Sequence, residues 1–96
     1  MPVNHMVWIK FNEGTTPAAI EEHLAGLRSL PDHVPGILGL TLGANFTERA
    51  RGFTHGVMVL LTDRDALATY AVHPAHVAVA SRLVKDAEIM ALDFDY

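Results

Sequence analysis

The chain has 96 residues, half of them apolar and 19% charged, with a formal net charge of −4 and no cysteine. That length suits one domain with one core, spanning residues 1–96, and the composition lies far from that of disordered chains. Seven Lys and Arg without a basic stripe argue against a nucleic-acid partner, and the missing cysteines exclude disulfides, thiolate metal sites and a cysteine nucleophile. No apolar run approaches the roughly 18 residues that span a bilayer, and no secretory signal pattern opens the chain, so a cytoplasmic location with no membrane contact is expected.

Residues 3–11 alternate, with Val3, His5, Val7, Ile9 and Phe11 on one side and Met6, Trp8 and Lys10 on the other. This period of two predicts a strand whose faces are both largely apolar. Thr16 can cap and Pro17 can start a helix in which Ile20, His23, Leu24 and Leu27 share a face, ending near Leu30 and Pro31. Residues 37–43 predict a second strand, with Leu38, Leu40 and Leu42 projecting one way and Gly39, Thr41 and Gly43 leaving the other side open to close approach. The polar stretch 44–53 reads as a loop. Residues 53–61 alternate again, placing His55, Val57, Val59 and Leu61 opposite Thr54, Gly56, Met58 and Leu60. Asp63 can cap a short helix carrying Leu67 and Tyr70. The His73-Pro74 break then starts another, with Val77, Ala80 and Val84 at helical spacing. Residues 89–96 supply the last strand.

The order β-α-β-β-α-β predicts an α+β, ferredoxin-like sandwich, one antiparallel sheet with helices on a single face. Met6, Trp8, Met58 and Leu60 then lie on the face that the helices leave bare. An uncovered apolar sheet face calls for a partner, and the economical one is a second copy, so a homodimer packed sheet to sheet is expected.

The stretch from Tyr70 to His76 carries two imidazoles and a phenol within seven residues. Pro74 suits the first helical position, which puts His76 in the first turn. The positive end of the helix disfavours its protonation, so His76 is the candidate base. The plainer account makes His73 a cap, His76 a surface residue and Tyr70 core filler. His73 and His76 could offer two metal ligands at i, i+3, but no HExxH spacing or third carboxylate accompanies them, and no metal is expected. Pro2, exposed by loss of Met1, could serve as the base of a tautomerase; the simpler role is a proline beginning an edge strand.

The strand with His5 and Phe11, the Gly43-Ala44-Asn45 turn, the Gly52-Phe53-Thr54-His55 stretch, the Tyr70-to-His76 segment and the terminal Asp93-Phe94-Asp95-Tyr96 together resemble the stress-responsive A/B barrel (Dabb) domain family over residues 3–96. The resemblance implies a dimeric α/β barrel. Through a plant polyketide cyclase of that family, it also implies an aldol closure without metal or organic cofactor. His76 would then be the general base and Tyr70 the assisting phenol. His5, His55 and His73 would surround the same cavity, and Ile9, Leu24, Leu27, Val57 and Val59 would form its wall. Leu24, Leu27 and His23 stand where that cyclase has aromatic residues, so the resemblance does not extend to a shared substrate length or identity. The same dimer and pocket would also serve a cofactor-free monooxygenase, a binder of a small apolar or aromatic ligand, or a non-catalytic stress-responsive dimer.

Overall fold

In the computed structural model, which describes residues 1–96, the N-terminal alternation becomes strand β1 (Val3–Phe11). Helix α1 (Pro17–Ser29) starts where expected: the Thr16 hydroxyl accepts the Ala19 N–H at 3.1 Å and Pro17 occupies the first turn. A short 3₁₀ turn at Leu30–Asp32 closes it. Strands β2 (Ile37–Ala44) and β3 (His55–Leu61) follow, joined by a loop that holds a second 3₁₀ turn. Helix α2 (Arg64–Val72) is capped by Asp63, whose carboxylate accepts the Ala66 N–H at 2.8 Å. His73 then ends α2 and caps α3 (Pro74–Asp86), and β4 (Ala87–Asp95) completes the chain.

The sheet order is β2-β3-β1-β4, and every neighbouring pair is antiparallel. This is the ferredoxin-like α+β fold: each crossover helix connects strands separated by one other strand, and all helices pack on one face. Between sheet and helices lies a core that includes Ile9, Leu30, Val59 and Leu61, all fully buried, with Leu24, Leu27, Val57, Tyr70, Val79 and Leu83 around them.

Three local expectations are corrected. A bulge between Ile37 and Gly39 shifts the phase of β2, so that Ile37, Leu40 and Leu42 pack against the core and Leu38 turns outward. In α3 the buried residues are Val79 and Leu83; Val77 and Val84 are 48% and 59% exposed, because the helix leans on the sheet through the neighbouring stripe. Pro2 precedes the central strand β1, not an edge strand. It sits just before the ladder, where its missing N–H costs nothing, and its carbonyl accepts the Tyr96 N–H at 3.1 Å.

The sheet's other face is open. Trp8, Met58, Met90, Leu92 and Phe94 project from it and are between 41% and 59% exposed. A Cβ added at Gly39, Gly43 or Gly56 would meet nothing within 4 Å, so these glycines open onto unfilled space. No helix of the chain is long and apolar enough to cross a membrane.

The corrected α3 face yields a direct test. Leu83→Ala should lower unfolding free energy by about 2–5 kcal/mol, the usual cost of emptying a core leucine, whereas Val84→Ala should change it by less than about 0.5 kcal/mol, both read from urea titrations.

Candidate active site

β1 runs down the middle of the sheet and presents His5 to the helix side. Its register with β4 sets His5 opposite Asp93, and the carboxylate of Asp93 contacts Nδ1 of His5. Above them, the last turn of α2 delivers Tyr70, which is 3% exposed, and the first turn of α3 delivers His76. The Tyr70 ring lies 4.2 Å, centre to centre, from the His76 imidazole and 5.4 Å, edge to face, from that of His5. The His-Pro break makes this possible. It ends one helix and starts the next within a residue, so that Tyr70 and His76 fold back on each other.

The electrostatics follow from burial. Loss of solvent, with the charge of Asp93 adding to it, pushes the Tyr70 phenol up to about 12, so it remains a neutral hydrogen-bond donor near pH 7. Burial also lowers His76 below its ordinary 6.5; the bond to the Ala71 carbonyl opposes that shift and the neighbouring His5 reinforces it. The lowering runs in the direction expected from sequence, and desolvation is its largest cause. Nδ1 of His76 donates to the Ala71 carbonyl at 3.2 Å, which leaves Nε2 as the lone-pair atom.

The remaining predicted residues are placed elsewhere. His73 has its Nδ1 occupied, accepting the Ala75 N–H at 3.1 Å as the cap of α3. His55 pairs with Ile9 in the register whereas His5 pairs with Val59, which separates the two histidines by four residues, roughly 13 Å along the strands. His55 donates from Nδ1 to the Thr54 hydroxyl at 2.9 Å, stands against the Phe11 ring and is lowered from its usual pKa by burial. Near it, His23 of α1 bonds Asp86 at 2.6 Å and also faces Phe11. Ile9, Leu24, Leu27, Val57 and Val59 lie in the close-packed core. His73 and His76 are not joined by any third His, Asp or Glu that would make a metal-sized cluster. A cleft of about 880 Å³ lies under the β2–β3 loop on the open sheet face, among Trp8, Phe46, Arg49, Phe53 and Met90; of the predicted site residues only His55 borders it.

Sequence reasoning missed Asp93 and Asp86 as histidine partners. For Asp93 a signal existed, since Ile89, Ala91, Asp93 and Asp95 share one side of β4; what was missing was the neighbour that β4 would choose.

With this geometry in hand, comparison with known proteins decides the family. The chain matches the stress responsive A/B barrel domain over residues 3–96. It belongs to that family. It is similar to the olivetolic acid cyclase of Cannabis sativa, with 30% identity over 79 residues that cover 80% of this chain and 78% of that one. It is also similar to the stress-response A/B barrel domain-containing protein HS1 of Arabidopsis thaliana, with 29% identity over 82 residues, 83% of this chain and 75% of that protein. Among solved structures, a dimeric ferredoxin-like protein from Jannaschia superposes with a TM-score of 0.87 at 26% identity, each chain covered completely.

Two titrations follow for this A/B barrel chain. A group lowered in the folded state contributes stability that is present above its unfolded value and is lost as the pH falls through the folded one. The wild type should therefore lose more stability than His76→Gln when urea midpoints are compared above and below 6.5. Tyr70 has the opposite sign: its contribution is present below 10 and disappears as the pH rises through about 12, and Tyr70→Phe should remove the late step from an absorbance titration of the phenols.

Proposed function

We propose that this chain is a small homodimeric A/B barrel protein with a cofactor-free acid/base site at Tyr70 and His76. The chemistry would be aldol closure of the polyketide cyclase kind on a small apolar or aromatic ligand. The observation that carries the proposal is the contact of a buried phenol with a half-buried imidazole whose Nδ1 is already committed to a backbone carbonyl. Nε2 of His76 would take a proton from carbon beside a carbonyl, and the neutral Tyr70 hydroxyl would donate to the oxygen on which charge develops. The similarity to a cyclase supports the same assignment. His5 would complete this end of the site, with the packed apolar residues Ile9, Leu24, Leu27, Val57 and Val59 as its backing, while His55 and His73 stand outside it.

The open sheet face supports the homodimer. Five large apolar side chains exposed on one side are costly in water, and the matching face of a second copy covers them all at once. The Jannaschia protein with this fold is described as dimeric.

Proton exchange at the activated carbon of a β-diketone, followed by NMR in heavy water, tests the chemistry. His76→Ala should slow exchange by about 10²–10⁴-fold with the melting temperature nearly unchanged; an unaltered rate, or loss of folding, overturns the role of His76. Saturable ligand binding with no exchange would instead identify a non-catalytic ligand-binding or stress-responsive dimer, and oxygen uptake with a redox-active phenol a cofactor-free monooxygenase. Light scattering should report twice the 10.5 kDa of one chain, and a mass of one chain at micromolar concentration refutes the dimer.

A further inference from the structure

We infer that Asp93 is a positioning residue for His5, fixing its imidazole as the Nδ1–H tautomer so that Nε2 becomes a second proton-transfer atom beside Tyr70. The inference deepens the acid/base reading of this site and rests on it for its chemical use. Its structural content stands on the strand register and the hydrogen bonds.

His5 and Asp93 are opposite residues of β1 and β4, and both point to the helix side. The His5 side chain is 13% exposed and that of Asp93 is 39% exposed, so the pair sits at the rim of the covered layer. An ionised carboxylate only accepts hydrogen bonds; its contact with Nδ1 therefore requires the proton on that nitrogen and leaves the lone pair on Nε2. The neighbouring groups are engaged elsewhere: Asp95, two residues on along the same side of β4, is held by Arg64 at 2.6 Å, and His73 is committed to its cap.

Two imidazoles thus meet the Tyr70 ring, each with Nδ1 tied down and Nε2 available, but with unlike partners behind them. A proton arriving at Nε2 of His76 leaves an imidazolium backed only by the Ala71 carbonyl dipole. One arriving at Nε2 of His5 leaves an imidazolium facing a carboxylate, as in the orienting arm of a catalytic triad. That asymmetry divides the labour. His76 removes the proton from a carbon flanked by carbonyls, and the electron pair of that C–H bond forms the new C–C bond. The attacked C=O gives up its π pair to oxygen, and the proton now on His76 passes by way of Nε2 of His5, as a transient imidazolium facing the Asp93 carboxylate, to that oxygen. Both imidazoles end in the neutral forms in which they began, with no net gain or loss of protons. A substrate suited to this pair carries two carbonyl groups, one to acidify the C–H and one to receive the bond.

The test uses the full-length 15N-labelled chain and long-range 1H–15N NMR of the imidazole rings, which distinguishes the two tautomers without turnover. His5 should show a single Nδ1–H form in the wild type, a mixture or the reversed tautomer in Asp93→Asn, and the wild-type pattern again in Asp93→Glu, while His76 keeps its signature throughout. An unchanged His5 tautomer in Asp93→Asn overturns the inference. Should that variant fail to fold, Asp93→Ser on the same exposed edge strand makes the same measurement. In the β-diketone exchange assay Asp93→Asn should lower kcat by about 10²-fold with KM little changed. A wild type without exchange activity would count against the acid/base reading of the site alone, since the tautomer still reports on Asp93.

Discussion

The register of β1 between β3 and β4 is the constraint on which the rest depends. β1 is bonded on both sides, so each of its residues has its position fixed twice. A slip of one residue would exchange its faces, sending His5 and Ile9 to the open side and Met6 and Trp8 into the core. Because Ile9 is fully buried against the helices, such a slip would expose apolar core surface, and the core thereby holds the candidate site in place. His5 faces Asp93 for the same reason that Ile9 is in the core: both follow from one alternation in one strand.

The helices place the remaining side chains through a single break. Proline at the start of α3 and histidine as its cap force α2 to end at Val72, and the chain turns there tightly enough to bring Tyr70 and His76 into ring contact. The core then does electrostatic work as well as packing. It removes Tyr70 and half of His76 from water, which keeps both neutral near pH 7 and fits them as donor and acceptor. The layer between sheet and helices is divided lengthwise: His5, Tyr70, His76 and Asp93 occupy one end, and His23, His55, Asp86 and Phe11 occupy the other, with close-packed aliphatic residues between.

The two sheet faces carry different tasks. The helix face supplies the core and the titratable cluster. The open face carries Trp8, Met58, Met90, Leu92 and Phe94, and beside them three glycines that leave unfilled space. Glycine at these positions lowers the sheet surface locally, which suits the close approach of a second layer that this chain does not itself provide.

Much of the fold was legible in the sequence because its signals are local. Alternation over residues 3–11 and 53–61, the Thr16-Pro17 and His73-Pro74 helix starts and the Asp63 cap each depend on a few neighbouring residues, and each element formed. The position of His76 in the first turn of its helix was equally readable. The bulge at Leu38 was not, since one extra residue in β2 is defined only against its partner β3. Nor was the buried stripe of α3, where apolar residues occur on both sides and the sheet chooses Val79 and Leu83 over Val77 and Val84. The sequence by itself determined which residues share a strand face or a helix turn, because those are consequences of backbone periodicity. Only the tertiary structure decided that Asp93 belongs to His5, that Asp86 belongs to His23 and that His55 stands apart from His76, because pairing between distant strands and helices depends on register and topology, which no local spacing encodes.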